Sequence, residues 1–229
     1  MPAEDSLVSA RSEPVGEHQE SGGLVDEQAH LDESRDALAR MRERTASMSA
    51  LAGDRVSGEY LKFTLYKRMK ALEDDPEIPL FFGRLDYAGT AKVADVDASA
   101  DGERYYIGRR HVTDESGTPL VVDWRARISR PFYRASRADP MGLRLRRRFG
   151  FQHGTLTAYE DEQLSDRDAP GVHRGVGTTA AKPLLEAEIE RPRLGPMRDI
   201  VATIQPEQDD IVRADLATSV CVQGAPGTG

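Results

Sequence analysis

Apolar positions near the start of the chain keep a seven-residue beat. Leu24, Leu31, Leu38, Thr45 and Ala52 form one row, and Met41 and Met48 fall on the neighbouring d-type positions. Asp32, Glu33, Arg35, Asp36, Arg40, Arg42, Glu43 and Arg44 fill the outside, so the pattern predicts a long amphipathic helix with a coiled-coil-like seam. Gly53-Asp54 breaks it. Beyond the break, Val56, Leu61, Leu65, Met69 and Leu72 lie near one face of a second predicted helix. That helix is expected to end before Asp75-Pro76, because a residue preceding proline disfavours helical backbone. Two helices joined by so few residues should fold back as an antiparallel hairpin.

From Pro79 the period shortens. Phe81–Asp86, Arg104–Arg109, Leu120–Trp124, Pro131–Arg134, Arg144–Gln152 and Thr155–Tyr159 are short runs rich in aromatic and β-branched residues, separated by Gly, Asp, Pro and Ser. They predict a small antiparallel β domain. Residues 88–102 and 166–183 read as long loops. Residues 184–190 form a short acidic helical stretch, and 197–204 are apolar at helical spacing. Gln205-Pro206-Glu207-Gln208 opens a last helix leading to a strand over 219–223. The expected segments are a disordered acidic tail (1–22), a coiled-coil arm (23–76), the β domain (77–165), a linker (166–195) and a further domain beginning at 196.

Charge sharpens this picture more than composition does. The chain has 229 residues, 38% hydrophobic and 31% charged, which is polar for a globular protein. It has no apolar run near the length of a membrane span, and its acidic start lacks the form of a secretory signal. The net charge of −8 hides an asymmetry: residues 1–36 hold ten acids against Arg11 and Arg35, whereas residues 125–148 hold nine arginines against Asp139 alone. An acidic head and a basic middle imply two different surfaces. The single cysteine, Cys221, excludes an internal disulfide, suits a reducing cytoplasm, and reads as a small buried hydrophobe. His18, His30, His111, His153 and His173 make no ligand spacing, so no metal site is expected.

Residues 219–229, Ser-Val-Cys-Val-Gln-Gly-Ala-Pro-Gly-Thr-Gly, read as a buried strand running into a phosphate-binding loop. The pattern requires Gly, four residues, Gly, then Lys and Ser or Thr. Gly224 and Gly229 occupy the glycine positions, and the sequence stops one residue before the lysine. A spaced glycine pair alone says little. The apolar run before it, and the small, turn-prone Gly224-Ala225-Pro226-Gly227-Thr228-Gly229, supply the context for backbone N–H groups to cradle phosphate. A frayed tail is the alternative. Without the lysine and the magnesium-holding hydroxyl, ATP hydrolysis by these residues alone is not expected, and no catalytic residue is assigned. The fold class is therefore α+β: helical hairpin, antiparallel β domain, then the first helix and strand of an incomplete P-loop α/β core. Gln208, sixteen residues before Gly224, offers a donor and an acceptor that suit an adenine edge. Alone, it would be a solvated helix-start residue.

The Ile-Gln-Pro-Glu-Gln stretch ending at Gln208, the apolar strand and Gly-x-Pro-Gly-Thr-Gly together resemble the Q motif and motif I of superfamily 1 helicases of the UvrD/Rep type. The preceding region is more particular. Phe82-Gly83-Arg84-Leu85-Asp86, Tyr106-Ile107-Gly108-Arg109, Val121-Val122-Asp123-Trp124-Arg125-Ala126, Pro131-Phe132-Tyr133-Arg134-Ala135 and the run from Met197 to Gln205 are similar to the N-terminal region of HelD, a bacterial helicase-like ATPase that binds RNA polymerase. The resemblance covers residues 24–229. It implies that residues 24–75 form an arm entering the polymerase secondary channel, followed by a β-containing portion and an ATPase core. ATP and Mg2+ are implied cofactors of the complete protein, where the nucleotide cycle is coupled to release of nucleic acid and recycling of polymerase. Some members also protect polymerase against rifamycins. Gln208 maps to adenine recognition, and Gly224, Gly227, Thr228 and Gly229 map to the phosphate loop. The lysine, the acidic motif II, the arginine finger and the second core domain have no counterparts in these residues.

Arg144, Arg146, Arg147 and Arg148 admit three readings: contacts to phosphates, pairing with the acidic arm or an acidic polymerase surface, or a solvated strand face. Asp123-Trp124-Arg125 reads as structural, since a strand tryptophan is a core anchor first. Two rival functions stay open. One is an arginine-rich nucleic-acid-binding β domain with a coiled-coil segment. The other is a truncated, non-functional reading frame.

Overall fold

The computed structural model describes residues 17–51, 57–88, 103–165, 172–174 and 201–215, together with 217, 219, 221 and 223; side chains are described from 23 to 48 and from 59 onward, except at 172–174. Helix α1 (Glu17–Leu51) and helix α2 (Ser57–Ala71) form the expected pair. The first of them begins inside the segment assigned to the tail, so residues 17–22 are helical. Once a helix is anchored downstream, each added residue gains a hydrogen bond at little cost, and Glu17, Gln19 and Glu20 are good helix formers.

The heptad seam is real at the base of the hairpin. Leu31 and Leu38 are fully buried and Thr45 nearly so, with Leu65 and Leu72 buried on α2. It fails toward the far end, where Met48 is 57% exposed and Leu61 42%. Arg35, half-way along α1, pairs with Asp74 and donates to the carbonyls of Pro76 (3.3 Å) and Ile78 (3.1 Å) just past α2. The two helices are therefore antiparallel.

Seven strands form one sheet: β1 (Phe81–Tyr87), β2 (Arg104–Gly108), β3 (Val112–Thr113), β4 (Pro119–Asp123), β5 (Leu143–Gln152), β6 (Thr155–Gln163) and β7 (Val172–Arg174). The order is β3-β4-β2-β1-β5-β6-β7. All neighbours are antiparallel except β2 and β4, which the intervening β3 hairpin returns in parallel. β5 and β6 join through His153 (φ 47°) and Gly154 (φ 83°), two residues with the positive φ that a tight type I′ hairpin requires.

β1 is buried along its whole length. On one side of the sheet Phe81, Val112, Val121 and Phe151 share a core with Leu31 and Leu38 of α1. On the other, Phe82, Leu85, Ile107 and Leu164 pack with Phe132 and Val201. Gly83 is there because the Phe132 ring covers it; a Cβ would stand 2.1 Å from that ring. Gly108 is needed for a similar reason, since a Cβ would stand 2.2 Å from the Leu80 carbonyl oxygen.

Four expectations need correction. Val172–Arg174, expected within a loop and linker (166–195), is strand β7, paired antiparallel with Glu160–Glu162 of β6. Pro131–Arg134 is not a strand but a helical turn, α3 (Pro131–Arg134), entered from a 3-10 turn at Arg127–Ser129. Proline at the first helical position loses no hydrogen bond and brings the required φ. β6 runs to Gln163 rather than Tyr159, because Glu160, Asp161 and Glu162 stand opposite Arg148, Arg147 and Arg146 across the ladder. Cross-strand charge pairing overrides their poor strand propensity. Last, the helix expected after Gln205 is present as α4 (Pro206–Val212), but residues 219, 221 and 223 belong to no strand and Cys221 is exposed. A strand needs a neighbour to take its backbone bonds, and no described strand lies beside them. The hairpin connection at 52–56, the loop expected at 89–102, most of 166–200 and the loop at 224–229 lie outside the described residues.

Candidate functional site

The junction between hairpin and sheet is ionic as well as apolar. Glu27, on the sheet-facing side of α1, is 2% exposed. Its Oε1 accepts from Arg84 Nη1 of β1 and, at 2.7 Å, from Arg147 Nη1 of β5. Arg84 also donates to both oxygens of Asp86 (2.7 and 3.0 Å), and Arg147 forks onto both oxygens of Asp161 at 2.6 Å. Arg144 reaches Asp86 at 3.1 Å. Three carboxylates thus balance three guanidinium groups across α1, β1, β5 and β6. Burial works against the Arg84 and Arg147 charges, but their acidic partners outweigh it and hold both pKa values above the ordinary arginine value. Burial and then the nearby Glu27 charge push the Tyr106 phenol up to about 12. Among the described residues, Glu27 Oε2 has no hydrogen-bond partner.

The four arginines singled out in the sequence therefore divide. Arg147 pairs with the acidic first helix and also stacks on Tyr159 (3.9 Å). Arg146, on the opposite sheet face, binds Glu162 (2.5 Å) and the carbonyls of Phe132 (2.9 Å) and Ala135 (3.0 Å). Among the described residues Arg144 pairs with Asp86 alone, and its side chain is half exposed. Arg148 lies 5.0 Å from the Phe132 ring centroid, and burial followed by the neighbouring Arg146 lowers its pKa to about 10.

Of the expected nucleotide residues, only Gln208 is described; Gly224, Ala225, Pro226, Gly227, Thr228 and Gly229 lie outside the described residues. Gln208 sits in the first turn of α4, where its Oε1 accepts the Gln205 N–H at 3.0 Å. This is a capping arrangement that satisfies a helix-start donor. The same helix is tied to the β domain: Arg213 bridges Asp209 (2.6 Å) and the carbonyls of Trp124 (2.8 Å) and Arg125 (3.0 Å), and Arg134 pairs with Asp210 (2.5 Å). Trp124 packs edge-on against Tyr133, as its anchoring reading requires.

The far half of the hairpin is different in kind. On α2, Tyr60 is 79% exposed, Phe63 55% and Tyr66 62%. Among the described residues, no group of acids, histidines or cysteine could hold a metal ion, and no helix is long and apolar enough to cross a membrane.

The family model described as "DNA helicase IV HelD, N-terminal domain" matches residues 24–175, well over half of the chain. The chain belongs to the HelD N-terminal domain family. Curated proteins yield no match to it. The HelD match starts at Leu24, the first seam residue, and ends at Gly175, just past β7. The family unit is thus the clamped hairpin plus the entire sheet, and α4 with Gln208 lies beyond it.

Sequence reasoning passed over Glu27, Asp86, Asp161 and the outer aromatics of α2. A signal existed for each group. Arg84 and Asp86 are two charges in an otherwise apolar strand, which must find partners if buried. Tyr60, Phe63 and Tyr66 are large rings off the predicted seam.

Proposed function

We propose that this chain is the RNA-polymerase-binding part of a HelD-like helicase of the bacterial cytoplasm, with the hairpin of α1 and α2 as the arm that enters the polymerase secondary channel. HelD family membership supports the reading, and one observation carries it. The hairpin is clamped to the sheet at its base by a buried ion network, while its far half remains uncovered. A clamped root and an outer half exposed at Met48, Tyr60, Phe63 and Tyr66 suit an arm that reaches into a channel.

In the complete protein, ATP and Mg2+ would drive the release of polymerase or nucleic acid. Gln208 would offer its amide to adenine, and the 224–229 loop would offer backbone N–H groups to phosphate. The lysine and hydroxyl that complete such a loop are not among these residues, so hydrolysis is not proposed for them. A role in rifamycin tolerance would likewise belong to the complete protein. Direct phosphate binding by the β5 arginines is disfavoured, since Arg146 and Arg147 already have carboxylate partners.

The test is retention of bacterial core RNA polymerase by the immobilised 229-residue chain, with ATP titrated calorimetrically in parallel. Near-stoichiometric polymerase without stoichiometric ATP is expected. Recovery of no polymerase refutes the proposal.

A further inference from the structure

The rings on α2 are not scattered. Tyr60, Phe63 and Tyr66 follow one another at three-residue spacing, and Lys67 and Lys70 lie on the same side of the helix, opposite the buried Leu65 and Leu72. The Lys67 ammonium stands 4.4 Å from the centre of the Phe63 ring. Across α2 the basic residues Lys62, Lys67, Arg68 and Lys70 face a single acid, Glu59. A soluble helix ordinarily turns its polar residues outward. Here three aromatic rings occupy that side.

We propose that this outer face of α2 is a docking surface that seats in an apolar groove rimmed by carboxylates on a protein partner. The inference rests on the polymerase reading and deepens it, because it names the face of the arm that makes the contact and the chemistry it meets. Aromatic anchors at helical spacing are how a helix fills a groove, and such residues dominate interface energetics. Charge selects the partner class. Lysines beside the rings complement carboxylates, whereas packing α2 against α2 of a second copy would set lysine against lysine. Nucleic acid fits less well, because the exposed charges of α1 alongside the rings, Arg42, Glu43 and Arg44, are of mixed sign, and farther along the same helix exposes Asp26, Asp32, Glu33 and Asp36, so no continuous basic track is offered to phosphate.

The experiment immobilises bacterial core RNA polymerase and titrates three full-length chains: wild type, the triple variant Tyr60→Ser/Phe63→Ser/Tyr66→Ser, and Lys67→Glu/Lys70→Glu. Binding should weaken at least ~30-fold in the triple variant and ~10-fold in the charge reversal, the latter loss shrinking as salt is raised. Exposed positions contribute little to folding, so urea midpoints should match. If the triple variant folds poorly, the charge reversal decides alone. Wild-type binding with unaltered affinity in the variants overturns the docking face while leaving the polymerase reading intact. Failure of the wild type to bind polymerase overturns both. A wild-type dimer abolished by the triple variant, or DNA binding lost with it, would assign the face to self-association or nucleic acid instead and overturn the proposal.

Discussion

The two ends of one helical hairpin are built on opposite principles. At the base, Leu31, Leu38 and Leu72 share a core with the sheet, and Glu27 is shared between two arginines from different strands. Toward the far end, seam residues such as Met48 and Leu61 are solvent-exposed, and the largest side chains of α2 point outward. The seven-residue pattern runs through both ends unchanged. Whether a seam position is buried depends on what lies opposite, and among the described residues the sheet lies against the base alone. Apolar periodicity therefore marks a face, not its occupant.

Breaking the base should cost most. Glu27→Ala leaves two buried guanidinium groups short of a partner and is expected to destabilise the chain by ~3–5 kcal/mol, read from urea unfolding. Next, Leu38→Ala should cost ~2–5 kcal/mol, whereas the same truncation at Leu61 should cost less than ~1 kcal/mol. Equal losses at the two positions would erase the contrast between base and tip. Gly83→Ala, on the far side of the sheet, forces a methyl into the Phe132 ring and should cost ~1–3 kcal/mol; Phe132→Leu in the same background should recover part of it.

Much of this was legible in the chain. The antiparallel hairpin follows from the seam and the short break, and five of the six strands expected within the β domain are present at their expected places. What escaped was set by contacts between distant residues. Nothing near Glu160–Glu162 announces a strand; only the arginines opposite, some fifteen residues earlier, keep those acids in the ladder. Pro131–Arg134 has strand-like composition, but proline at a helix start, and a ring needed over Gly83, decided otherwise. The arginine cluster was visible as charge. Its division into saturated and unpaired members was not, because that depends on which face each side chain takes.

That division gives a smaller test. Arg147→Met should cost several kcal/mol, while Arg148→Met should cost nothing or add stability, since burial disfavours the Arg148 charge and no hydrogen bond or ion pair among the described residues offsets it. The smallest effect is in acid. Burial raises the Asp123 pKa, but hydrogen bonds from Arg125 outweigh it, so the folded value lies below the ordinary 3.8. A depressed carboxylate contributes stability that is present above its unfolded value and lost as pH falls through the folded one. Asp123→Asn should therefore flatten the acid limb of the stability curve below pH 3.8, and a limb unchanged by the substitution would remove Asp123 from the account.

Amide hydrogen exchange of the 229-residue chain, with and without bacterial core RNA polymerase, separates a clamped base from a docking outer half. New protection is expected across α2, centred on residues 60–66, with the amides of residues 27–38 exchanging slowly and equally in both states. Protection over the β5 arginines with α2 unaffected would contradict that docking.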